Sequence, residues 1–254
     1  MNEQEDFFLY IVAGKTTTTL AMPESAKQLG SRKIVRTLSE KLNSDDFDAL
    51  LSALIEQLSH EPVKKVFVCS VYQALNAKIE NYFQSKEIEI IFLTNQNQSI
   101  LDLSKLYNPW DLGPDLIAQL IYITRFFKEA IIVSLGTVTA IHHAKDNASK
   151  GVILMPGVHP SLHQIETLLD IRLLELKFQK KPLGLNNQEA ISIGVVNTIE
   201  IVVDNLVKKL RTKCPIIYTG GGSIFFHNKN WWYIEDLDLL GLYIFSRRFL
   251  EKED

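Results

Sequence analysis

Short apolar runs rich in β-branched residues alternate along this chain with longer stretches of helical period. In the middle, residues 130–135 (AIIVSL) reach Gly136-Thr137, and a second run, 138–141, carries the chain onward. Residues 145–151 supply turn formers, and 152–155 make a third run that stops at Pro156-Gly157. That layout predicts adjacent antiparallel strands. Residues 7–22 (FFLYIVAGKTTTTLAM) repeat it: an apolar run, a glycine, hydroxyl residues, then a run that can continue as strand. Aligning Gly14 with Gly136 sets Lys15-Thr16 over Thr137-Val138 and Thr18 over Ala140. The identity is thin, so a duplicated half and two ordinary hairpins both fit it.

Residues 23–42 are polar and basic, with weak patterning and a loop-like Gly30-Ser31. Ser44-Asp45-Asp46 predicts a helix start, with carboxylates favourable at the positive end of the dipole. Phe47, Leu50, Leu51, Leu54, Ile55 and Leu58 follow at helical spacing. A buried strand over 63–71, a helix over 72–83 and a strand over 88–93 make a βαβ unit, so part of the sheet should be parallel. After a turn-rich stretch, Pro114 suits the first turn of an apolar helix running to about residue 127. Asp115 at its positive end should favour its ionised form. Further helices are expected over 160–174, 187–211 and 236–250, with a strand over 215–218 that ends in Thr219-Gly220-Gly221-Gly222. The expected organisation is α/β in two domains, 1–112 and 113–254, with the last helix packing back on the first.

Composition acts by exclusion. With 254 residues, 46% hydrophobic and 22% charged, the chain can bury a substantial core. A net charge of −3 gives no electrostatic reason for a nucleic-acid partner. Cys69 and Cys214 lie in apolar runs and read as buried thiols of a reducing compartment. No charged-then-apolar leader is seen, and no apolar run reaches the roughly 18 residues of a spanning helix. A cytoplasmic protein without a membrane partner is expected.

Gly14-Lys15-Thr16 looks like the end of a P-loop, but that motif needs a glycine five residues before Gly14, where Leu9 stands. A helix should also follow, whereas residues 16–19 favour strand. His142 and His143 are neighbours on a strand and point to opposite faces. His159 and His163 can share a helix face, yet no third ligand accompanies them, so no metal site is expected. Trp231-Trp232-Tyr233 reads as packing at a domain or subunit boundary. Residues 219–222 form either a plain tight turn or a loop that touches a nucleotide.

In this order the pieces resemble the type III pantothenate kinases over nearly the whole chain. The most specific part is Tyr107-Asn108-Pro109 followed by Leu112-Gly113-Pro114-Asp115, similar to the family's Y-x-N-P-x-x-L-G-A-D-R. Ser134-Leu135-Gly136-Thr137-Val138-Thr139 falls where the family has D-x-G-T-A-T, and residues 151–157 resemble G-G-A-I-x-P-G. Gly184-Leu185-Asn186-Asn187 with Ala190-Ile191 and Gly194 is similar to G-x-N-T-x-x-A-I-x-x-G. Thr219-Gly220-Gly221, and Asp236-Leu237 with Gly241-Leu242, resemble the closing motifs.

The resemblance implies an actin-like, ribonuclease-H-like duplicated fold and phosphorylation of pantothenate by ATP on the way to coenzyme A. It implies Mg²⁺, a monovalent cation and a homodimer; a heterodimer with a related kinase is the alternative expected if this chain has lost its own activity. It also implies site roles. Asp115 would be the catalytic base. Gly14, Lys15, Thr16, Gly136, Thr137, Thr219, Gly220 and Gly221 would meet the nucleotide phosphates, and Tyr107, Gly113 and Asn187 the small-molecule substrate.

The departures from the family fall on the chemistry. Its opening D-x-G-N-T reads Val12-Ala13-Gly14-Lys15-Thr16 here, and its second hairpin's aspartate is Ser134. A further aspartate is replaced by His142, the arginine after the base by Leu116, and the substrate-side threonine by Asn187. The stretch after the Pro-Gly turn reads Leu168-Leu169-Asp170 where the family has N/R-T-A. Phosphoryl transfer depends on charge neutralisation around Mg²⁺, which wants hard oxygen ligands. Each lost charge-stabilising group typically costs ~10²–10³ in rate. The expectation is a pantothenate-kinase-like protein of weak or no activity, doubtful metal binding and a regulatory or partner role. The alternative is an active kinase, on pantothenate or an altered substrate, using Asp115, with Lys15 standing in for part of the metal's charge.

Overall fold

The structure, a computed structural model, describes residues 7–25, 28–104, 106, 108–173, 175–210, 213–226 and 230–252. Its first elements are β1 (Phe7–Ala13), β2 (Thr17–Ser25), β3 (Gln28–Leu38), α1 (Ser39–Leu42), α2 (Phe47–Leu58), β4 (Val63–Ser70), α3 (Gln73–Gln84), β5 (Glu89–Phe92) and α4 (Pro114–Phe126). There follow β6 (Glu129–Leu135), β7 (Val138–Lys145), β8 (Ala148–Pro156), α5 (Val158–Leu169), α6 (Asn187–Ser192), α7 (Thr198–Lys209), β9 (Ile216–Thr219), β10 (Trp232–Tyr233) and α8 (Leu237–Leu250). Two compact units divide the chain, residues 1–126 with 237–254, and residues 127–236. The division follows residue 126 rather than 112, because α4 packs with α8 and both belong to the first unit.

In the first unit the strand order is β3-β2-β1-β4-β5, with β1/β2 and β2/β3 antiparallel and β1/β4 and β4/β5 parallel. In the second it is β8-β7-β6-β9-β10, with the same alternation of antiparallel and parallel pairs. The two halves therefore repeat one topology, and Gly14 and Gly136 each follow the first strand of their half. Past the turn the simple alignment slips. Ala13 pairs with Thr18 whereas Leu135 pairs with Thr139, so the first turn holds one residue more and Thr18 corresponds to Thr139.

Two stretches differ from their sequence patterning. Much of the weakly patterned 23–42 region is β3, an edge strand that pairs with β2 on one side and packs Val35 against the core. An edge strand tolerates polar and basic residues, which is why its period is faint. The turn expected over 145–151 is just Asp146-Asn147, both at positive φ (52° and 56°), and β8 begins at Ala148. Asp and Asn tolerate that region, as a two-residue hairpin requires.

One face of the first sheet buries Leu9, Ile11, Val66 and Val68 beneath Leu51 and Leu58 of α2 and Leu75 and Ile79 of α3. On the other face Tyr10 stacks on Phe67 (5.8 Å, 17°), and Phe245 and Phe249 of α8 meet Phe67 edge-on. Tyr10 Oη also lies 3.0 Å from Ser246 Oγ. Helix α4 is apolar on most sides, as a buried helix must be. A methyl placed on Gly241 would lie 1.7 Å from the Ala118 carbonyl oxygen, so α8 approaches α4 backbone to backbone.

The second sheet buries Ile131, Val133 and Leu135 against Val195, Ile199, Val203 and Val207. The expected helix over 187–211 is there, interrupted by a π turn at Ile193–Asn197. Residues Asn187–Lys209 are long and apolar enough to cross a membrane by length and composition. Here they supply the apolar stripe that covers the sheet, the role of a core helix.

Candidate functional site

At the carboxyl ends of β1 and β4 the first unit gathers most of its predicted site residues. The turn after β1 is closed by Gly14 N–H donating to Thr17 O at 3.0 Å and by Ser39 N–H donating to Thr16 O at 2.9 Å. Ser39 Oγ donates to Gly14 O at 2.7 Å and lies 2.8 Å from Thr18 Oγ1, so a serine that sequence reading passed over fixes the turn. Gly14's own amide is thus engaged within the turn. Lys15 extends over the Tyr72 ring at 5.0 Å, a cation–π contact. Val71 N–H donates to Ala13 O, which joins the end of β4 to the end of β1.

Gly113 and Asp115 complete this corner. A methyl on Gly113 would lie 2.5 Å from Asp115 Oδ1 and 3.6 Å from Val71 Cγ1. Asp115 lies in the first turn of α4, just after Pro114, and its carboxylate accepts the amides of Asp115 and Leu116, as a first-turn carboxylate should. Burial nevertheless wins: it pushes the carboxyl above its ordinary pKa, and the two amides offset only part of the rise. The expectation that the helix end would dominate is corrected accordingly. Asp115 and Asp238, a second first-turn carboxylate that the sequence did not single out, both bear electrostatically on the buried Cys69 thiol.

In the second unit three turns converge at the end of β6. Gly157 N–H donates to Thr137 O at 3.0 Å, and a methyl on Gly157 would lie 2.0 Å from Gly136 O. Gly220 has φ +96°, and a methyl there would fall 2.6 Å from Leu135 O. Gly136, Thr137 and Val138 are exposed. Residues 136–138, 156–157 and 219–222 therefore form one tightly packed cradle at the carboxyl ends of parallel strands. Ligands in open α/β sheets bind at such ends.

The substrate-side positions are less united. Tyr107 lies outside the described residues. Asn187 is exposed in the first turn of α6, preceded by Asn186, whose side chain accepts Glu189 N–H at 2.9 Å as an N-cap. Glu189 reaches back to Leu185 N–H and pairs with Lys181. Trp231 is buried against Phe226 while Trp232 and Tyr233 are exposed, so that cluster is part packing and part surface. An open groove of about 520 Å³ lined by residues such as Ser52, Glu56, His60, Tyr82 and Lys86 shares no residue with these positions.

A family model described as type III pantothenate kinase matches residues 8–209. The chain belongs to the type III pantothenate kinase family. Curated type III pantothenate kinases of Mycoplasma mobile (29% identical, covering 77% of this chain and 82% of that one) and Thermosipho melanesiensis (28%, 91% and 95%) are among its relatives. Among solved structures, the activator of the 2-hydroxyisocaproyl-CoA dehydratase from Clostridium difficile with bound ADPNP superposes with a TM-score of 0.57 at 13% identity, covering 98% of both chains. The fold is the duplicated, actin-like α/β architecture.

Against the pantothenate kinase pattern, the two hairpins do not fit Mg²⁺. Val12, at the family's first aspartate, is a buried apolar side chain, and Ser134 is a half-buried hydroxyl. Mg²⁺ beside phosphates is held by one or two carboxylates with waters making up the rest, and neither Val12 nor Ser134 supplies a carboxylate. His142, at a further aspartate position, faces the interior, with Nε2 2.8 Å from Ser149 Oγ. Burial, with His143 adding to it, lowers its pKa from 6.5 to about 4. The unfolded chain then binds this proton first. Stability is complete above pH 6.5 and declines as pH falls towards 4, by about 3 kcal/mol for the full 2.5-unit span. Urea titrations across that window should show the decline, and His142→Asn should flatten it.

Proposed function

We propose that this member of the pantothenate kinase family holds a nucleotide at its glycine turns but transfers phosphate weakly or not at all. One observation carries the reading. The cradle of Gly136, Gly157 and Gly220 is packed backbone to backbone, while Val12 and Ser134 stand where the family resemblance places its metal-holding carboxylates. Backbone amides can meet phosphate oxygens without a metal, whereas transfer needs a metal's positive charge to neutralise the negative charge developing on the phosphates and leaving group. ATP use is supported by the family and by the ADPNP bound to the Clostridium difficile activator. The same reading gives it a cytoplasmic role beside coenzyme A biosynthesis, which the family membership supports, and makes it a homodimer or the partner of an active relative.

The second reading is an active kinase, on pantothenate or an altered substrate, and Asp115 favours it. A carboxyl with a raised pKa is a stronger base at its operating pH than an ordinary surface carboxylate. Titration calorimetry with ATP–Mg²⁺ and a coupled assay with pantothenate separate the two. Nucleotide binding without turnover is the expected result. Turnover at a per cent of an ordinary kinase rate, lost in Asp115→Asn, would establish the second reading, and absence of nucleotide binding would remove both.

A further inference from the structure

At the opposite end of the second sheet from the glycine cradle, about 20 Å along β6 at 3.3 Å per residue, three chemically different donors meet. Glu129 opens β6, His143 lies on β7 and Cys214 precedes β9, so they come from three adjacent strands in the order β7-β6-β9. The register places His143 opposite Ile131, two residues from Glu129 on β6, so these two side chains share one face of the sheet, and Cys214, in the bend before β9, brings its Sγ to them. Their ligand atoms lie within 4.8 Å of one another, and all three residues are half-buried. The carboxylate is already aimed: Oε1 lies 2.9 Å from His143 Nε2, and Oε2 is held by Lys145 Nζ at 2.9 Å.

We propose that Glu129 Oε1, His143 Nε2 and Cys214 Sγ form a site for a borderline divalent cation of the zinc type, remote from the nucleotide turns. One thiolate, one imidazole and one carboxylate are the donors zinc takes in tetrahedral sites, with the fourth position left to water. Mg²⁺ and Ca²⁺ are excluded by the same set, since both select oxygen. Tetrahedral ligands lie roughly 3.3–3.8 Å apart at zinc bond lengths, so Oε1 and Nε2, now 2.9 Å apart, open slightly while Sγ, within 4.8 Å of both, adjusts to them, movements of side-chain size. On binding, the Cys214 thiol releases its proton to solvent, and the proton that His143 Nε2 donates to Oε1 leaves that nitrogen, so that the neutral ring carries its proton on Nδ1 and Nε2 is free to ligate. Lys145 stays on Oε2 as an outer partner that fixes the carboxylate, the arrangement usual around metal ligands. Glu129 already ties β6 to His143 and Lys145 of β7, and the cation would clip this pair to the segment that leads into β9. Sequence spacing could not show this site, because no two of its ligands are near neighbours in a metal-binding pattern.

The test uses the full chain, reduced with a phosphine and titrated with Zn²⁺ alone and with Co²⁺ alone. The expected result is one equivalent bound, a rise in Tm with metal by mass action, and a thiolate-to-cobalt charge-transfer band. Cys214→Ser and His143→Gln should each weaken binding by at least ~100-fold, beyond the 10–100-fold loss typical of outer partners. Cys69→Ser should keep the band. Should Cys214→Ser fail to fold, Glu129→Gln, at the strand's half-exposed start, provides the loss of affinity in a folded chain. Failure of the wild type to take up a stoichiometric ion overturns the proposal. So does cobalt bound without the band, or binding unchanged in Cys214→Ser and His143→Gln. None of these readouts involves nucleotide, so the result stands apart from the fate of the proposed function.

Discussion

Asp115→Asn is expected to lower any residual pantothenate phosphorylation by about 10²–10⁴-fold, while making the protein more stable at neutral pH. The two effects share one cause. Burial raises the carboxyl's folded-state pKa above its unfolded value. The native state is therefore favoured by this group when it is protonated, and that advantage is lost as pH rises through the folded pKa. Burial of this carboxyl burdens the fold wherever the unfolded chain would ionise it, and the neutral amide removes the burden. The stability gain should disappear once pH falls below the ordinary carboxylate value of about 3.9. Thermal melts at both ends of the range, beside single-turnover assays, check it. A variant that loses stability at neutral pH would show that the two helix-end amides outweigh burial. Gly113→Ala approaches the same carboxylate from the other side. Its methyl would lie 2.5 Å from Oδ1, so the carboxylate must swing away, and turnover should fall with the charge still in place.

Phe67→Ala is expected to cost about 3–5 kcal/mol of unfolding free energy. Phe67 is fully buried, with Tyr10 stacked on one side and Phe8, Phe245 and Phe249 set edge-on around it. Truncation leaves a cavity where α8 meets the sheet, and α8 in turn packs on α4, the helix that carries Asp115 in its first turn. Denaturant unfolding followed by tryptophan fluorescence gives the value. Phe67→Leu, which keeps most of the volume, should lose less than Phe67→Ala. A cost near zero for Phe67→Ala would mean that α8 does not depend on this aromatic cluster for its seat.

Period and punctuation in the sequence determined most of the elements. β1, β4, α2, α3, α4 and the β6–β7 hairpin announce themselves through unbroken apolar runs or helical spacing, since each buries a whole face or stripe. Family membership was legible for a related reason: residues such as Gly113, Gly136, Gly157 and Gly220 sit where a methyl would strike backbone or a site carboxylate, or would crowd a turn, and such positions leave sharp motifs. The edge strand β3 was not legible, because among the described residues one side of it pairs with no strand and its residues need not alternate cleanly.

Three matters were decided only by the tertiary structure. Whether Asp115 would be more or less acidic depended on how much protein closes over it, a quantity that neither its helix position nor its neighbours in sequence contain. That Ser39 would lock the Gly14 turn required β3 to return alongside β2. Glu129, His143 and Cys214 stand far apart along the chain, and it is the pairing of β7, β6 and β9 that brings their donor atoms within reach of one ion. Local pattern records what each segment buries; the meeting of side chains from separate strands is set by sheet order and register, which the linear sequence carries only through the folded sum of all its contacts.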